Sequence, residues 1–271
     1  MSEHFSASGV ITVTTDFGHR GPFVGTMKGV IAQRFAAARI IDLTHEAHVH
    51  WPVEAGFWVA RSYHYFPRGT VHLAVVDPGV GTDRSVLLAV GDGHAFLAPD
   101  NGLLAEVIEH TGAEVRRLSD AVIDRHRLAE TSATFHGRDI FAPLAAALAA
   151  GTLSPPACGE AGVDYVPSVV EPATWRGGTL HGVVITSDHF GNLITNIGGD
   201  ELARLRAPLV HAGGHAIPVR RTYGDAAPGE LLALVNSFGV LEVARAEQNA
   251  TELLGLGRGA PVRVVDGGAQ G

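Results

Sequence analysis

The first half of the chain alternates between short apolar runs typical of strands and longer segments with helical spacing. Strand-like runs occupy 9–18, 38–45, 70–77 and 85–93, and apolar residues recur with helical period over 23–35, 52–66, 101–112 and 139–151. Strands that alternate with helices of this length indicate a largely parallel sheet covered by helices. The sequence therefore predicts an N-terminal α/β domain over residues 8–151.

The pattern changes in the second half. Residues 152–178 are rich in proline and glycine and have no clear period, which is typical of a connection between domains. Residues 179–268 hold shorter, strand-rich segments separated by turn residues. They predict a smaller C-terminal domain built from an antiparallel, barrel-like β sheet.

Composition narrows the functional classes. Hydrophobic residues make up 46% and charged residues 18% of the 271 residues, enough apolar side chain for a core. A formal net charge of -8 without a basic tract argues against nucleic acid as a partner. The single cysteine excludes a disulfide framework. No signal-peptide pattern opens the chain and no apolar window reaches membrane length, so a cytoplasmic protein without a membrane partner is expected.

Acidic residues follow three of the predicted strands, at Asp16, Asp42 and Asp77. Ligands of parallel sheets bind at the carboxyl ends of strands, where such carboxylates are well placed. The alternative is that each aspartate only caps a turn or a helix.

The stretch VVDPGVGTDRS contains both a glycine-rich turn and the pair Asp77 and Arg84. It lacks the third glycine of the dinucleotide fingerprint and the lysine of a P-loop, which argues against a phosphate site. Arg84 could hold and orient the Asp77 carboxylate for chemistry, or form an ordinary salt bridge within the loop.

Histidines offer two further candidates. His136 stands before Gly137 at the mouth of a predicted helix, where it could transfer a proton or merely cap the helix. The stretch HEAHVHW suggests a metal site, but no motif supplying the remaining ligands accompanies it. We therefore predict no metal.

In the second half, SDHFGNLITN combines an aromatic side chain with a carboxylate and carboxamides. Such a set can stack on a flat heterocycle and bind its edge, whereas the alternative is a simple hairpin turn. The stretch NSFGVLEVAR adds Ser237 and Arg245.

Taken together, these segments resemble the S-adenosylmethionine hydroxide adenosyltransferase family, which is similar to the fluorinases and chlorinases. The resemblance runs from about residue 10 to residue 265 and is carried, in order, by ITVTTDFGHRGPFVGTMKGVI, IIDLTHEAHVHW, FPRGTVHLAVVDPGVGTDRSV, FLAPDNGLL, TFHGRDIFAPLAAALAAG, ITSDHFGNLITNI and LVNSFGVLEVA. It implies a homotrimer whose ligand sites lie between one subunit's N-terminal domain and a neighbour's C-terminal domain. The implied reaction is hydrolysis of S-adenosyl-L-methionine to adenosine and L-methionine, with no cofactor.

The family's catalytic Asp–Arg–His set falls on Asp77, Arg84 and His136. In the halogenases, tyrosines match Asp77 and His136, and a serine that helps bind halide matches Gly137. A carboxylate at position 77 favours water over halide.

The resemblance also implies binding residues. Ribose contacts are implied for Asp16 and Trp51, methionine contacts for Asp188 and Ser237, and adenine contacts for Phe190 and Asn192. Phe238 replaces the arginine that follows this serine in the halogenases, and Arg245 is the candidate to compensate.

Three rival functions stay open at this point. A halide-dependent transferase is disfavoured by Asp77, His136 and Gly137. A non-catalytic protein that binds adenosine or S-adenosylmethionine would not need the Asp77, Arg84 and His136 set. A histidine-rich metallohydrolase would lose activity on chelation.

Overall fold

The computed structural model describes residues 5–269, which form two compact units, one ending at Val169 and one beginning at Val170. The division falls inside the stretch 152–178. None of the helices within residues 5–269 is long and apolar enough to cross a membrane.

Within the described part of the first unit, a seven-stranded sheet has the order β2-β1-β3-β5-β4-β6-β7. Strands β2, β1, β3 and β5 are parallel, whereas β4, β6 and β7 pair antiparallel. The strands are β1 (Val10–Thr15), β2 (Arg39–Thr44), β3 (Val71–Val75), β4 (Val86–Gly91), β5 (His94–Pro99), β6 (Glu114–Leu118) and β7 (Gly159–Ala161).

Helices cover both faces of this sheet. They are α1 (Phe23–Arg34), α2 (Pro52–Ser62), α3 (Ala105–Thr111), α4 (Asp120–His126) and α5 (Ala142–Ala149), and a π-helical turn, Gly137–Phe141, leads into α5. One core joins α1 and α5 to the sheet through residues such as Met27, Ile31 and Leu144. The opposite face packs against α2 and α3. Burial on both faces explains why β1 is buried along its whole length.

The antiparallel half of the sheet has a local cause. Asp92 and Gly93 join β4 to β5, and both have positive φ, 50° and 78°. This is the Asp-Gly geometry of a two-residue hairpin, which reverses the chain. The strand-like run 85–93 is therefore one arm of a hairpin and does not continue the parallel order.

The second unit is an antiparallel sheet. Within its described residues the strand order is β12-β11-β15-β9-β10-β14-β13, and β8 pairs with β9. The strands are β8 (Thr174–Arg176), β9 (Thr179–Ser187), β10 (Leu193–Gly198), β11 (Pro208–Ala212), β12 (His215–Pro218), β13 (Leu231–Val235), β14 (Val240–Arg245) and β15 (Pro261–Asp266), with short helices α6 (Gly199–Leu202) and α7 (Ala250–Leu254).

The edges of this second sheet approach each other. Arg220 N donates to Ala233 O at 2.7 Å, and Val219 forms a bridge with Ala233, so the chain beyond β12 meets β13. Inside the curved sheet lie apolar residues such as Leu193, Leu241 and Val264. The predicted α/β domain followed by a barrel-like antiparallel domain is confirmed.

Candidate active site

Asp77, Arg84 and His136 contact one another in the first unit. Arg84 Nε donates to Asp77 Oδ1 at 3.0 Å and to Oδ2 at 2.9 Å, and Arg84 Nη2 donates to Oδ2. The same Nη2 lies 3.0 Å from His136 Nδ1. The guanidinium carbon also lies 5.2 Å from the centre of the Phe141 ring, within cation–π range. Arg84 therefore joins the carboxylate to the imidazole.

The loop after β3 returns Arg84 to Asp77. Val80 N donates to Asp77 O at 3.2 Å and Thr82 N to Gly79 O at 3.1 Å, so two tight turns follow the aspartate. These turns bring Arg84 beside the carboxylate just before β4 begins at Val86.

Gly81 lets this loop pack closely against the segment that precedes His136. Its φ is +78°, and a Cβ built on it would lie 2.4 Å from Ala133 O. A non-glycine residue would be strained by both the backbone angle and the clash. Gly81, one of the glycines that suggested a phosphate loop, thus serves a close approach of two chain segments.

The arrangement determines the state of His136. A guanidinium only donates, so His136 Nδ1 accepts and the neutral ring carries its hydrogen on Nε2. Burial lowers the pKa of His136, and the Arg84 charge lowers it further. The contact with Arg84 and the lowered pKa both favour the neutral imidazole, whose Nε2–H is a hydrogen-bond donor.

Gly137 lies in a crowded position beside this set. A Cβ there would lie 3.3 Å from Met27 Sδ and 3.4 Å from both Phe17 and Phe135. The serine of the halogenases would need these neighbours to move. Phe17 and Phe135 also line a cleft of about 360 Å³ with Phe23, Ser132, Thr134 and Arg138.

Asp16 lies at the carboxyl end of β1, next in the sheet to β3, which leads to Asp77. Asp16 Oδ2 accepts from His50 N at 3.0 Å. Trp51 precedes α2, and its backbone N–H donates to His48 O at 3.0 Å. The third aspartate, Asp42, lies inside β2, which extends to Thr44, so it does not follow the strand as expected.

The histidines of HEAHVHW have different surroundings. The buried His45 contacts Thr15 and Asp42, and His48 Nδ1 lies 2.6 Å from Glu54 Oε2. Among residues 5–269, no three histidine, cysteine or acidic side chains are grouped as metal ligands.

The second unit contains a cleft of about 600 Å³. It is lined by Asp188, Phe190, Asn192, Tyr223, Arg245, Glu247, Gln248 and Asn249. The structure thus brings together three of the binding residues that the resemblance implied, and Arg245, the candidate to compensate for Phe238, lies with them. Ser237 lies outside this lining, in the exposed turn between β13 and β14.

Asp188 organises one wall of the cleft. Its Oδ1 accepts from Phe190 N and Asn192 N, both at 2.9 Å, and its Oδ2 accepts from Asn192 Nδ2 at 3.0 Å. Asp188 therefore shapes the turn, and the Phe190 ring projects from it with 74% of the residue exposed. An exposed aromatic ring beside a fixed carboxamide suits a planar ligand.

Sequence reasoning missed Tyr223 and the residues that hold it. Tyr223 Oη donates to Glu242 Oε1 at 2.6 Å, and Asn236 Nδ2 donates to Glu242 Oε2 at 3.1 Å. Burial raises the pKa of the Glu242 carboxyl. This acid connects the cleft wall to the turn that carries Ser237. The available signal was an isolated acid within the apolar stretch VLEVA.

Comparisons with known proteins identify the family. Residues 11–159 match the SAM hydroxide adenosyltransferase N-terminal domain, and residues 182–263 match its C-terminal domain. An (R)-S-adenosyl-L-methionine hydrolase of Thermus thermophilus is 39% identical over 93% of this chain and 97% of its own. One from Salinispora tropica is 40% identical over 95% and 98%.

More distant relatives extend the comparison. A fluorinase of an Actinoplanes species is 30% identical over 87% of this chain and 90% of its own. The crystal structure of an uncharacterized conserved protein from Thermotoga maritima has a TM-score of 0.86 and 33% identity, covering 94% of this chain and 99% of that one. The resemblance drawn from the sequence is confirmed: the chain belongs to the SAM hydroxide adenosyltransferase family.

Proposed function

We propose that this protein hydrolyses S-adenosyl-L-methionine to adenosine and L-methionine. The observation that carries the proposal is the hydrogen-bonded set of Asp77, Arg84 and His136. Relatives named (R)-S-adenosyl-L-methionine hydrolase, 31–40% identical over most of the chain, support it. Their name specifies the R configuration, and we extend that configuration at sulfur to the substrate of this protein.

The chemistry demands little besides a well-placed nucleophile. A sulfonium is a good leaving group, so the reaction needs no general acid. As the water oxygen bonds to ribose C5′, the C5′–S bond breaks and its electron pair neutralises the sulfur. The water gives up one proton. The site must therefore hold water in line with the leaving sulfur and accept that proton.

The three residues divide this work. The Asp77 carboxylate accepts a hydrogen bond from the attacking water and takes its proton. Arg84 holds this carboxylate with two nitrogens, which limits its rotation. The His136 Nδ1 lone pair is engaged by Arg84, so His136 orients water through Nε2–H and is not the base.

The remaining residues bind the substrate in this proposal. Asp16 accepts hydrogen bonds from the ribose hydroxyls, and Trp51 lines the ribose and methionine region. In the second-unit cleft, Phe190 stacks on adenine and Asn192 binds its edge. The methionine end falls to Asp188, Ser237 and Arg245.

Arg245 already uses part of its guanidinium in a hydrogen bond within the protein. Its Nε already donates to Gly229 O at 3.0 Å, which leaves its Nη groups for a carboxylate. No cofactor or metal takes part in the proposed reaction.

Product analysis separates this function from its rivals. The purified protein is incubated with each sulfonium epimer of S-adenosyl-L-methionine, with and without chloride and a chelator, and nucleosides are separated by chromatography. Adenosine and methionine in equal amounts, with the R epimer preferred and no effect of chelator, would support hydrolysis. Formation of a 5′-chloronucleoside would establish the halide-dependent transferase. Substrate that binds but is not converted would establish the non-catalytic binding protein, and loss of activity on chelation would establish the metallohydrolase.

Asp77→Ala tests the assigned base. We expect turnover to fall by at least about 10²-fold, the usual contribution of a positioned proton acceptor. Adenosine binding should persist, because Asp77 is not among the proposed adenosine contacts. Turnover near the wild-type rate would remove Asp77 from the mechanism.

We also propose, from the resemblance, a cytoplasmic homotrimer whose sites combine the first unit of one subunit with the second unit of a neighbour. Light scattering measures the assembly. Mixing Asp77→Ala with Asn192→Ala, after subunit exchange, should restore activity, because some sites would receive both intact halves. No restoration in exchanged trimers would place each site within one chain.

A further inference from the structure

The chain between His45 and His50, here the 45–50 segment, contacts the Asp16 loop at three points. His45 Nδ1 lies 2.9 Å from Thr15 Oγ1, and Gly18 N donates to His45 O at 2.8 Å. His50 N donates to Asp16 Oδ2 at 3.0 Å. The loop after β1 is therefore held through a side chain, the backbone and the Asp16 carboxylate itself.

Asp42 and Thr15 contact opposite nitrogens of the His45 ring. Lys28 Nζ donates to Asp42 Oδ2 at 2.6 Å, and Asp42 Oδ1 lies 3.1 Å from His45 Nε2. This 3.1 Å contact is an ion-pair approach that is not aligned as a hydrogen bond, but the negative charge of Asp42 favours a hydrogen on Nε2. Nδ1 then accepts from the Thr15 hydroxyl. Thr15 Oγ1 in turn accepts from Phe17 N at 3.3 Å. The charge of Asp42 thus favours the tautomer of His45 that accepts from Thr15.

This Asp–His–Thr order resembles a nucleophilic triad, but its burial excludes that role. Thr15 is 0% exposed and His45 is 1% exposed, so no substrate atom reaches the hydroxyl. A buried relay beside a ligand-facing loop acts through the geometry of that loop.

We propose that Asp42 and His45 are positioning residues for Asp16. By holding the Thr15 hydroxyl, they place the neighbouring Asp16 carboxylate where it accepts hydrogen bonds from the ribose. The inference rests on the proposed function, in which Asp16 binds the ribose hydroxyls. It explains why an aspartate of β2 lies against a buried histidine that is hydrogen-bonded to Thr15.

The same strand supplies a matched control. Thr12 Oγ1 lies 2.8 Å from the Nδ1 of another buried histidine, His72, three residues before Thr15 on β1. Thr12 and Thr15 are both fully buried. Thr12→Val therefore removes the same kind of buried bond as Thr15→Val, but away from Asp16.

The test measures binding of adenosine and of 2′,3′-dideoxyadenosine by calorimetry. We expect Thr15→Val to weaken adenosine binding about three- to tenfold, the loss of roughly one hydrogen bond. Binding of the dideoxy ligand, which lacks the hydroxyls that Asp16 holds, should be unchanged. Thr15→Ser keeps the hydroxyl and should restore adenosine affinity, and Thr12→Val should leave both affinities unchanged. In turnover, Thr15→Val should raise KM more than it lowers kcat.

Equal weakening of both ligands by Thr15→Val, or the same loss in Thr12→Val, would show a merely structural role and overturn the inference. Asp42→Asn provides a second variant if Thr15→Val does not fold. An asparagine places an amide donor against His45 or Lys28, so the same selective loss is expected. A wild-type protein that neither binds adenosine nor hydrolyses the sulfonium would overturn the proposed function as well.

Discussion

Arg84→Lys is the substitution that most directly tests the site geometry. Arg84 uses two nitrogens on the Asp77 carboxylate and shares one of them with His136. A lysine has one nitrogen, so it can keep a contact with Asp77 but loses the second arm of the fork and the bond to His136. Its positive charge remains, so the substitution changes geometry more than charge.

The magnitude follows from these lost contacts. Hydrogen bonds to charged groups contribute about 1.5–3 kcal/mol each. Two lost bonds at the lower end of that range total about 3 kcal/mol, and the lower end applies because the site must admit substrate and water. If the lost bonds position Asp77 and His136 around the attacking water in the transition state, kcat falls by about 10²-fold. KM should change by less than about threefold, because the proposed binding residues are untouched.

Adenosine formation over a range of substrate concentrations measures kcat and KM, and urea unfolding measures the stability of each variant. Arg138→Lys is the matched control, because Arg138 also forks an aspartate, Asp139, at 2.6 and 3.0 Å and lies over an aromatic ring. The control should lose stability but keep kcat. If Arg84→Lys kept kcat within threefold of wild type, or if Arg138→Lys lost as much, the forked contact would have no specific role in the reaction.

Three further predictions concern His136, Gly81 and Glu242. The pKa of His136 is lowered by burial and by the Arg84 charge, so its neutral form persists into more acidic solution. The pH profile of kcat/KM should stay flat down to the ordinary histidine range and fall below it; an acid limb above pH 7 would contradict this assignment. In a urea titration, Gly81→Ala should lower the free energy of unfolding by about 1–3 kcal/mol through strain at positive φ. Gly25 lies in open space on α1, so Gly25→Ala should raise the free energy of unfolding slightly in the same titration. Glu242→Gln replaces one of the two carboxylate oxygens that accept from Tyr223 and Asn236 by an amide donor, which should disturb the Tyr223 wall of the cleft. Calorimetry should then show adenosine affinity reduced about threefold or more. Unchanged affinity would show that Glu242 does not shape the cleft.

The hydrophobic pattern predicted most of the fold, because strands and helices of the first unit are buried on regular faces. It did not predict β5, β6 and α4, nor the orientation of β4. Asp92 and Gly93 indicate a hairpin turn after β4, but the run 85–93 was interpreted as a strand of a parallel sheet. The chain reverses there because both residues adopt positive φ.

The contacts of the candidate site differ in how far apart their residues lie along the chain. Asp77 and Arg84 are seven residues apart, and a short glycine-rich loop is enough to bring them together. His136 lies 52 residues from Arg84, and the contact depends on Gly81 packing against the segment before it. No local pattern encodes such a distance.

By itself, the sequence determined the two-domain order, most strands and helices of the first unit, the turn after Asp77, and the family resemblance that joined the separate motifs. The tertiary structure decided which side chains meet: His136 with Arg84, His45 with Thr15, and Glu242 with Tyr223. The physical reason is the distance along the chain over which each kind of signal acts. Periodicity and turn chemistry act over a few residues, whereas sheet order and packing set the contacts between residues distant in the chain.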